Sequence, residues 1–318
     1  MKRKLIIDAD PGIGDALAVA LAIGDPELDL LAVTSVPGCV SGEMGLLNLQ
    51  AIVSLLDPPR WPRLGVTDGR AVDFPREDGM IEPVFLHGEM GLGDLDVPAV
   101  ELHNRLDAPK LLAELVRDNP GAITLLTLGP LTNVLLAAER SSDFLMNLQE
   151  LVVCGGSIAT GGDVTAAAEF NIFSNPAAAG AVLTAPCTKT IVPLDVTTRA
   201  ILSFDQYDRM KIDANTRLGR LIEQTLPFSL RAHRQHLGQE GLPLREATAL
   251  AAITRPHLFE RRRSTINVEV RGQITRGATV FDRRKKPAPN NIDALISVDP
   301  QGVLDYLSER LKEARRTA

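Results

Sequence analysis

The sequence predicts an α/β fold, a single doubly wound domain with a mostly parallel central sheet that spans residues 1–318. Short apolar segments alternate with helical segments along most of the chain, which is typical of parallel strands joined by helices. No linker-like change of composition and no internal repeat divides the chain. Acidic residues directly follow the first apolar segment, where open α/β sheets place their ligands.

The elements follow in order from a first strand whose core is the apolar run at residues 5–7. A helix rich in good helix formers is predicted at 16–23. Because this helix separates the first strand from the strand predicted at 28–36, the two strands are expected to be parallel, in a right-handed βαβ unit. Further strands are predicted at 28–36, 63–67, 122–128, 150–154, 190–194, 267–270 and 279–281. Further helices are predicted at 41–56, 109–119, 132–138, 242–253 and 303–315, with mostly helical structure across 204–241. Thr132 and Asn133 are predicted to cap the helix that they begin.

The composition excludes several classes of protein. A net charge of -6 and the lack of a basic stripe give no reason to expect nucleic acid as a partner. No apolar segment reaches the roughly 18 to 20 residues that span a bilayer, and no separate signal-peptide segment precedes the first strand. Cys39, Cys154 and Cys187 lack CxxC spacing, which favours reduced thiols in a cytoplasmic protein.

Three carboxylates cluster where the first strand ends. Asp8 and Asp10 are two residues apart, so their side chains point to the same side of the strand. Asp15 lies in the first turn of the helix that follows. Like charges in a small space need a cation, and a set of oxygen ligands favours Ca²⁺ or Mg²⁺. In the alternative interpretation, Asp15 complements the helix dipole and the other two cap loop amides.

Polar segments outside the predicted elements also carry candidate residues. The long connection at 68–98 is either a functional loop or disordered, and its Gly-rich part at 87–94 suits a mobile flap that begins at His87. His233 and His236 are three residues apart on one face of a predicted helix. The basic runs at 261–263 and 283–286 are interpreted as solvated surface.

Seven motifs, taken together, resemble the inosine/uridine-preferring nucleoside hydrolase family. They recur in the order of the family and at about its spacing, and they cover nearly the whole chain. They are Asp8-x-Asp10-Pro-Gly-x-x-Asp15, His87-Gly-Glu, Gly129-Pro-Leu-Thr-Asn133, the Gly-Gly after Cys154, Ala168-Glu-Phe-Asn-Ile172, Asn175-Pro-x-Ala-Ala and Val192-Pro-Leu-Asp-Val-Thr197.

The resemblance implies a single-domain enzyme that binds Ca²⁺ at the carboxyl edge of its sheet and forms a homodimer or homotetramer. Its substrate is a small ribosyl compound, a ribonucleoside whose N-glycosidic bond is cleaved by water. Asp10 and Asp15 are then metal ligands, and Asp10 also accepts a proton from the metal-bound water. Asp8 resembles an auxiliary ligand, and the backbone carbonyl of Leu128 matches another ligand position.

The resemblance also assigns the sugar side of the site. Glu169 and Asn171 resemble the residues that hold ribose hydroxyls, and Asp163 stands where the family commonly has Asn. Cys39 occupies a position where Asn usually touches the sugar, and both it and Cys154 line the pocket if the resemblance holds.

The sequence departs from the family at three further positions. Gly14 replaces an Asp that grips the ribose 2′-hydroxyl, and Glu246 replaces a metal-binding Asp. Glutamate remains a common Ca²⁺ ligand, so metal binding is expected to survive. Arg245 replaces a His that can protonate a purine leaving group, and arginine, with a pKa above about 12, cannot act as a general acid near neutrality.

Three solutions to the missing acid are open. In the first, His87, His233 or His236 protonates the base instead. In the second, Arg245 stabilises the departing base as an anion. In the third, the substrate has changed: losing an acid at Gly14 and gaining a cation at residue 245 makes the pocket more positive. Such a pocket favours a ligand with a phosphate or carboxylate group.

Two competing functions follow from the same residues. The chain is either a catalytically impaired, Ca²⁺-containing homologue that binds a ribosyl ligand without cleaving it, or a hydrolase with altered contacts. The Asp8-x-Asp10 pair is also found in haloacid-dehalogenase phosphatases, but Pro11-Gly12 follows here instead of Gly-Thr. A dinucleotide site at Gly12-x-Gly14 is weaker still, because three carboxylates repel a pyrophosphate.

Overall fold

The first strand is buried on both faces, and this places it at the centre of the sheet. Its side chains Leu5, Ile6 and Ile7 are fully buried, as expected for a parallel strand covered by helices on both sides. A computed structural model describes residues 2–70, 81–93, 95 and 105–317. Part of the predicted loop at 68–98 lies outside these residues, namely 71–80, 96–98 and the end of the flap at Asp94.

Nine of the strands found among the described residues form one sheet, in the order β10-β13-β7-β6-β5-β1-β2-β3-β4. All neighbours in this sheet are parallel except β10 and β13 at one edge. The strands are β1 (Arg3–Ala9), β2 (Leu28–Ser35), β3 (Arg63–Val66), β4 (Leu106–Asp107), β5 (Ile123–Thr127), β6 (Glu150–Cys154), β7 (Lys189–Val192), β8 (Ile201–Ser203), β9 (Gly241–Pro243), β10 (Phe259–Ser264), β11 (Ile266–Val268), β12 (Thr279–Phe281) and β13 (Ile292–Val298).

Helices cover both faces of the sheet, and each face has its own apolar core. The helices are α1 (Ile13–Gly24), α2 (Gly42–Leu56), α3 (Pro83–His87), α4 (Ala108–Asp118), α5 (Thr132–Arg140), α6 (Phe170–Ser174), α7 (Pro176–Thr184), α8 (Leu194–Thr197), α9 (Phe204–Arg209), α10 (Arg217–Leu237), α11 (Arg245–Thr254) and α12 (Pro300–Thr317). Leu5 and Ile7 join α1, α2, α10, α11 and α12 in one core, whereas Ile6 joins α4, α5 and α7 in the other. The chain is therefore a single α/β domain, as predicted. In the described part of the chain, no helix combines the length and apolarity needed to cross a bilayer.

The structure corrects several predicted elements. The predicted helix at 242–253 begins at Arg245, because the residues before it pair with β8 as β9. The arginine run at 261–263 is exposed, as predicted, but it also forms β10, which pairs with β13. Neither β10 nor β13 was predicted; three successive arginines hide the period-two pattern of an edge strand.

The predicted cap at the start of α5 is wrong. The residue before the helix is Leu131, and it makes no side-chain capping bond. The amide of Asn133 instead points into the protein, where it contacts the end of β1. Asn133 binds the carboxylate of Asp8 instead of capping the helix, because an unpaired buried carboxylate costs more free energy than an uncapped helix end.

The C-terminal helix is held to the end of α1 by a buried hydrogen bond. The hydroxyl of Tyr306 donates to Asp25 Oδ2 at 2.8 Å, and both side chains are buried. Asp25 Oδ1 accepts from the backbone amide of Glu27 at 2.9 Å. The carboxylate of Asp25 therefore connects α12 to the turn between α1 and β2.

Replacing this tyrosine with phenylalanine is expected to destabilise the protein. Tyr306→Phe leaves a buried carboxylate oxygen without its donor, which costs about 1–3 kcal/mol of unfolding free energy. Chemical denaturation measures the change, with Tyr207→Phe, at a half-buried position, as the matched control. Equal stabilities for the two variants would contradict the role of the Tyr306–Asp25 bond.

Candidate active site

The candidate site lies at the carboxyl end of β1, between the carboxyl ends of β2 and β5. The order of strands reverses at β1, since β2 to β4 lie on one side and β5 to β7 on the other. Asp8 lies in register with Thr34 on β2 and Thr127 on β5. Open α/β sheets bind ligands in the crevice at such a reversal.

Asp8 is fully buried and partly neutralised by its neighbours. Its Oδ1 accepts hydrogen bonds from Thr34 Oγ1 at 2.5 Å and from Asn133 Nδ2 at 2.7 Å. Burial raises the pKa of Asp8 to about 7, although both hydrogen bonds favour the charged form. The sequence analysis did not identify Thr34 and Asn133 as partners of Asp8. Each is a polar residue in an otherwise apolar segment, and this could have indicated a buried polar partner.

Asp10 is held by the turn after β2. Its Oδ2 accepts from the backbone amide of Cys39 at 2.8 Å, and the Cys39 thiol donates to the Asp10 carbonyl at 2.6 Å. Glycines make room for the carboxylate, because a Cβ at Gly129 would lie 2.7 Å from Oδ1. Burial raises the pKa of Asp10 to about 7, and the charge of Glu246 raises it further.

Asp15 lies in the first turn of α1 beside these groups. Its Oδ2 accepts from the backbone amide of Gly12 at 3.0 Å, so part of the dipole interpretation is correct. Burial, followed by the charges of Asp10 and Glu246, raises the pKa of Asp15 well above its usual range. The structure therefore brings Asp10, Asp15 and Glu246 into one electrostatic group.

The chemistry of this group fits a hard cation. Within the described residues, Asp8 Oδ2 and Asp15 Oδ1 are buried and have no hydrogen-bond partner, which leaves negative charge uncompensated. Carboxylate and carbonyl oxygens are the ligands that Ca²⁺ and Mg²⁺ prefer. Among residues 2–70, 81–93, 95 and 105–317, no three or more His, Cys, Asp or Glu side chains are arranged as a group that could hold a metal ion. The fit therefore rests on the oxygen donors and the unpartnered charge.

The carbonyl of Leu128, the remaining predicted ligand, ends β5 close to these carboxylates. It accepts a hydrogen bond from Asn171 Nδ2 at 2.6 Å, and the same amide group donates to the Cys154 carbonyl at 3.0 Å. A carbonyl oxygen has two lone pairs, so one acceptor position remains for a ligand. Asn171, predicted to hold ribose, thus also connects the ends of β5 and β6.

Glu169, which is predicted to hold a ribose hydroxyl, lies at the start of α6. It caps α6, with Oε2 accepting from the backbone amides of Gly156 at 2.9 Å and Ile172 at 3.2 Å. Burial raises its pKa to about 8, with a further contribution from Asp163. Burial, followed by the charges of Glu246 and Glu169, raises the pKa of the Cys154 thiol well above its usual range. Glu169 and Cys154 therefore lie in the same electrostatic environment as the carboxylates near β1.

Arg245 is paired with Asp163 across the site. The Arg245 Nη1 donates to Asp163 Oδ2, and Asp163 Oδ1 accepts from the backbone amide of Phe170 at 2.9 Å. The charge of Arg245 is thus matched by a carboxylate that the chain itself supplies. This pairing, together with the buried acids near β1, does not favour the predicted positive pocket for an anionic ligand.

The three candidate histidines lie in different environments. His87 Nδ1 accepts from the amide of Ile13 at the start of α1, at 3.2 Å, and burial lowers its pKa to about 4. His233 is buried on α10 and donates from Nδ1 to the Ser229 carbonyl at 2.8 Å, and burial lowers its pKa too. His236 is exposed, with its ring 5.1 Å from that of Phe85 on α3. His87 and His233 are therefore neutral at neutral pH.

The neutrality of His87 is testable through stability. Its pKa is lower in the folded chain than the ordinary 6.5, so the folded state binds this proton more weakly than the unfolded state does. The stability it contributes is present above about pH 6.5 and lost as the pH falls towards 4. His87→Gln keeps an acceptor for Ile13 and does not titrate, so its unfolding free energy should fall less over this range.

Denaturation between pH 7 and 4 measures the difference, with His257→Gln, at an exposed position, as the control. A pH dependence of His87→Gln equal to that of the unsubstituted protein would contradict a depressed pKa at residue 87.

A parallel α/β sheet with buried carboxylates at its reversal point defines a class of α/β proteins that bind a ligand at the carboxyl edge of the sheet. The chain matches the model of the inosine-uridine preferring nucleoside hydrolases over residues 5–305, and it belongs to that family. Enzymes of this family are metal-dependent hydrolases. This chain is accordingly a nucleosidase-type enzyme that hydrolyses the N-glycosidic bond of ribonucleosides.

Similar proteins cover nearly the whole chain. Uridine nucleosidase 1 of Arabidopsis thaliana is 32% identical, over 97% of this chain and 93% of its own. The pyrimidine-specific ribonucleoside hydrolase RihA of Shewanella sp. strain ANA-3 is 33% identical, over 98% and 96%. The solved purine-preferring ribonucleoside hydrolase from Gardnerella vaginalis has a TM-score of 0.88 at 27% identity, over 99% of this chain and 100% of that one.

Proposed function

We propose that this chain is a Ca²⁺-dependent hydrolase of pyrimidine ribonucleosides such as uridine. The observation that carries the calcium part is the group of buried carboxylates with unpartnered oxygens at the end of β1. The pyrimidine part is supported by Arg245, which cannot protonate a purine, and by the names of the Arabidopsis thaliana and Shewanella relatives. A homo-oligomer in the cytoplasm remains our prediction for its state and location.

The residues that would hold the cation share oxygen donors. When bound, Ca²⁺ would neutralise the carboxylates and lower the pKa of a coordinated water. The thiols near the site do not compete for it, because burial keeps the pKa of Cys39 and of Cys154 well above the usual range. The proposed ligands are Asp8, Asp10, Asp15, Glu246 and the carbonyl of Leu128.

Asp10 is the proposed general base. The amide of Cys39 fixes its Oδ2, which orients the carboxylate to accept a proton from the attacking water. As the glycosidic bond breaks, the sugar gains positive charge, and Glu169 and the other acids stabilise it. Gly14, Cys39, Arg245 and Glu246 are the positions at which contacts with the substrate differ from those of the family.

Arg245 acts on the departing base as a cation and not as an acid. A pyrimidine leaves with negative charge shared between N1 and its exocyclic carbonyl oxygens, and a guanidinium group binds such oxygens through charge-assisted hydrogen bonds. Asp163 holds the guanidinium in place. The neutral His87 and His233 hold no extra proton to donate, and this leaves the electrostatic role to Arg245.

The proposal predicts calcium-dependent turnover that fails without Asp10. After treatment with a chelator, Ca²⁺ should restore hydrolysis of uridine and cytidine more than of inosine, guanosine or uridine 5′-monophosphate. Asp10→Asn should lower kcat by about 10² or more, since it removes the general base. Asp305→Asn, on the exposed face of α12, is the matched control and should retain full activity.

The reaction is measured by chromatography, as the amounts of free base and ribose that are released. Equal slow rates for the unsubstituted protein and Asp10→Asn would favour the binding homologue that does not cleave its ligand. Preference for the monophosphate would support the anionic ligand, and preference for inosine would contradict the pyrimidine assignment.

A second prediction concerns the guanidinium. Arg245→Gln should lower kcat for uridine by about 10- to 100-fold, the value of a hydrogen bond to a charged group. KM should change much less, because the charge on the base develops only as the bond breaks. Arg140→Gln is the control, since Arg140 also pairs with an aspartate, Asp107, but on the surface.

The opposite result would be a rise in KM with unchanged kcat. Arg245 would then bind the substrate equally in its ground and transition states.

A further inference from the structure

Gly14 lies opposite the carboxylate of Glu246, although the two residues belong to different helices. Gly14 is in the first turn of α1, and Glu246 is in the first turn of α11, which packs against α1. A Cβ at residue 14 would lie 2.5 Å from the Glu246 carboxyl carbon and closer still to Oε2. Non-bonded atoms do not approach so closely, so any side chain at residue 14 displaces this carboxylate.

The helix itself gives no reason for a glycine at this position. Gly14 has no left-handed backbone conformation, and alanine favours a helix over glycine by roughly 0.5–1 kcal/mol. The three atoms nearest to a Cβ at residue 14 all belong to the carboxyl group of Glu246. The feature that excludes a side chain at residue 14 is therefore Glu246.

The carboxylate of Glu246 acts on the buried acids of β1 and α1. Gly14 directly precedes Asp15, so the Glu246 carboxylate that lies against residue 14 is close to Asp15; after burial, its charge also contributes to the raised pKa of Asp15 and of Asp10. The space that a side chain at residue 14 would fill is thus occupied by the carboxylate of Glu246, which reaches it from α11. Since Glu246 itself stands in place of an Asp, it does not make up for the carboxylate that is missing at residue 14; it places the remaining carboxylate in that space.

We propose that Gly14 and Glu246 act as a pair in which the missing side chain positions the longer carboxylate beside Asp10 and Asp15. Gly14 is a positioning residue, and Glu246 is the group that contacts the cation or the sugar. This assignment rests on the proposed function for the identity of the cation. The pairing itself rests on the geometry of α1 and α11.

A double-substitution cycle tests the pair. Gly14→Ala should weaken the binding of Ca²⁺, so that the Ca²⁺ concentration that gives half of the maximal thermal stabilisation rises at least about tenfold. Glu246→Asp shortens the carboxylate by one methylene and should also weaken it. Adding Gly14→Ala to Glu246→Asp should then cost little more, because the shorter side chain leaves room for a Cβ.

Gly180→Ala on α7 is the matched control. It is also a glycine-to-alanine change within a helix, but a Cβ there meets no atom closer than 3.7 Å. It should leave both the midpoint of unfolding in EDTA and the response to Ca²⁺ unchanged or slightly improved. Measuring the whole cycle in EDTA gives a readout that depends on neither calcium nor turnover.

The outcomes separate the pair from the proposed function. Additive effects of the two substitutions, in EDTA and with Ca²⁺, would overturn the pairing. Full calcium response in Gly14→Ala would overturn it as well. If the unsubstituted protein hydrolyses no nucleoside but the cycle in EDTA is strongly non-additive, the proposed function fails and the pairing stands.

Discussion

The burial of several carboxylates at one end of a central strand is the constraint on which the rest of the site depends. Asp8, Asp10 and Asp15 are almost fully buried, and burial raises the pKa of each. Such groups are tolerated only where backbone amides, side-chain donors or a cation compensate their charge. The chain supplies part of this compensation from four different segments. The two unpartnered oxygens that remain are the strongest physical argument for a metal.

Glycines and sheet order together allow these acids to meet. The reversal of strand order at β1 opens a crevice beside its carboxyl end, so loops from both directions converge there. Gly38 and Gly129 then let the backbone approach Asp10 more closely than any side chain would permit. Gly14 does the same for Glu246. Each of these glycines is explained by a neighbouring carboxylate, with no need for unusual backbone geometry.

Arg245 and Asp163, which are both predicted to line the substrate pocket, form an ion pair. A lone arginine could serve an anionic ligand, whereas here the guanidinium is oriented and its charge is balanced by Asp163. Such a group suits a leaving base on which negative charge appears only during bond cleavage. The neutral His87 and His233 are consistent with chemistry in which no side chain protonates the base.

The sequence by itself determined the parallel sheet, the acidic end of β1 and the family, because apolar periodicity and the spacing of the motifs are local properties of the chain. It also identified Gly14, Arg245 and Glu246 as unusual. It could not give the partners of these residues. The sequence-based pairing of Gly14 with Arg245 was replaced by Gly14 with Glu246 and by Arg245 with Asp163. Likewise, Asn133 was predicted to cap α5 and instead binds Asp8, 125 positions away. Only the tertiary structure decided these contacts, since the packing of distant helices determines which side chain fills which space.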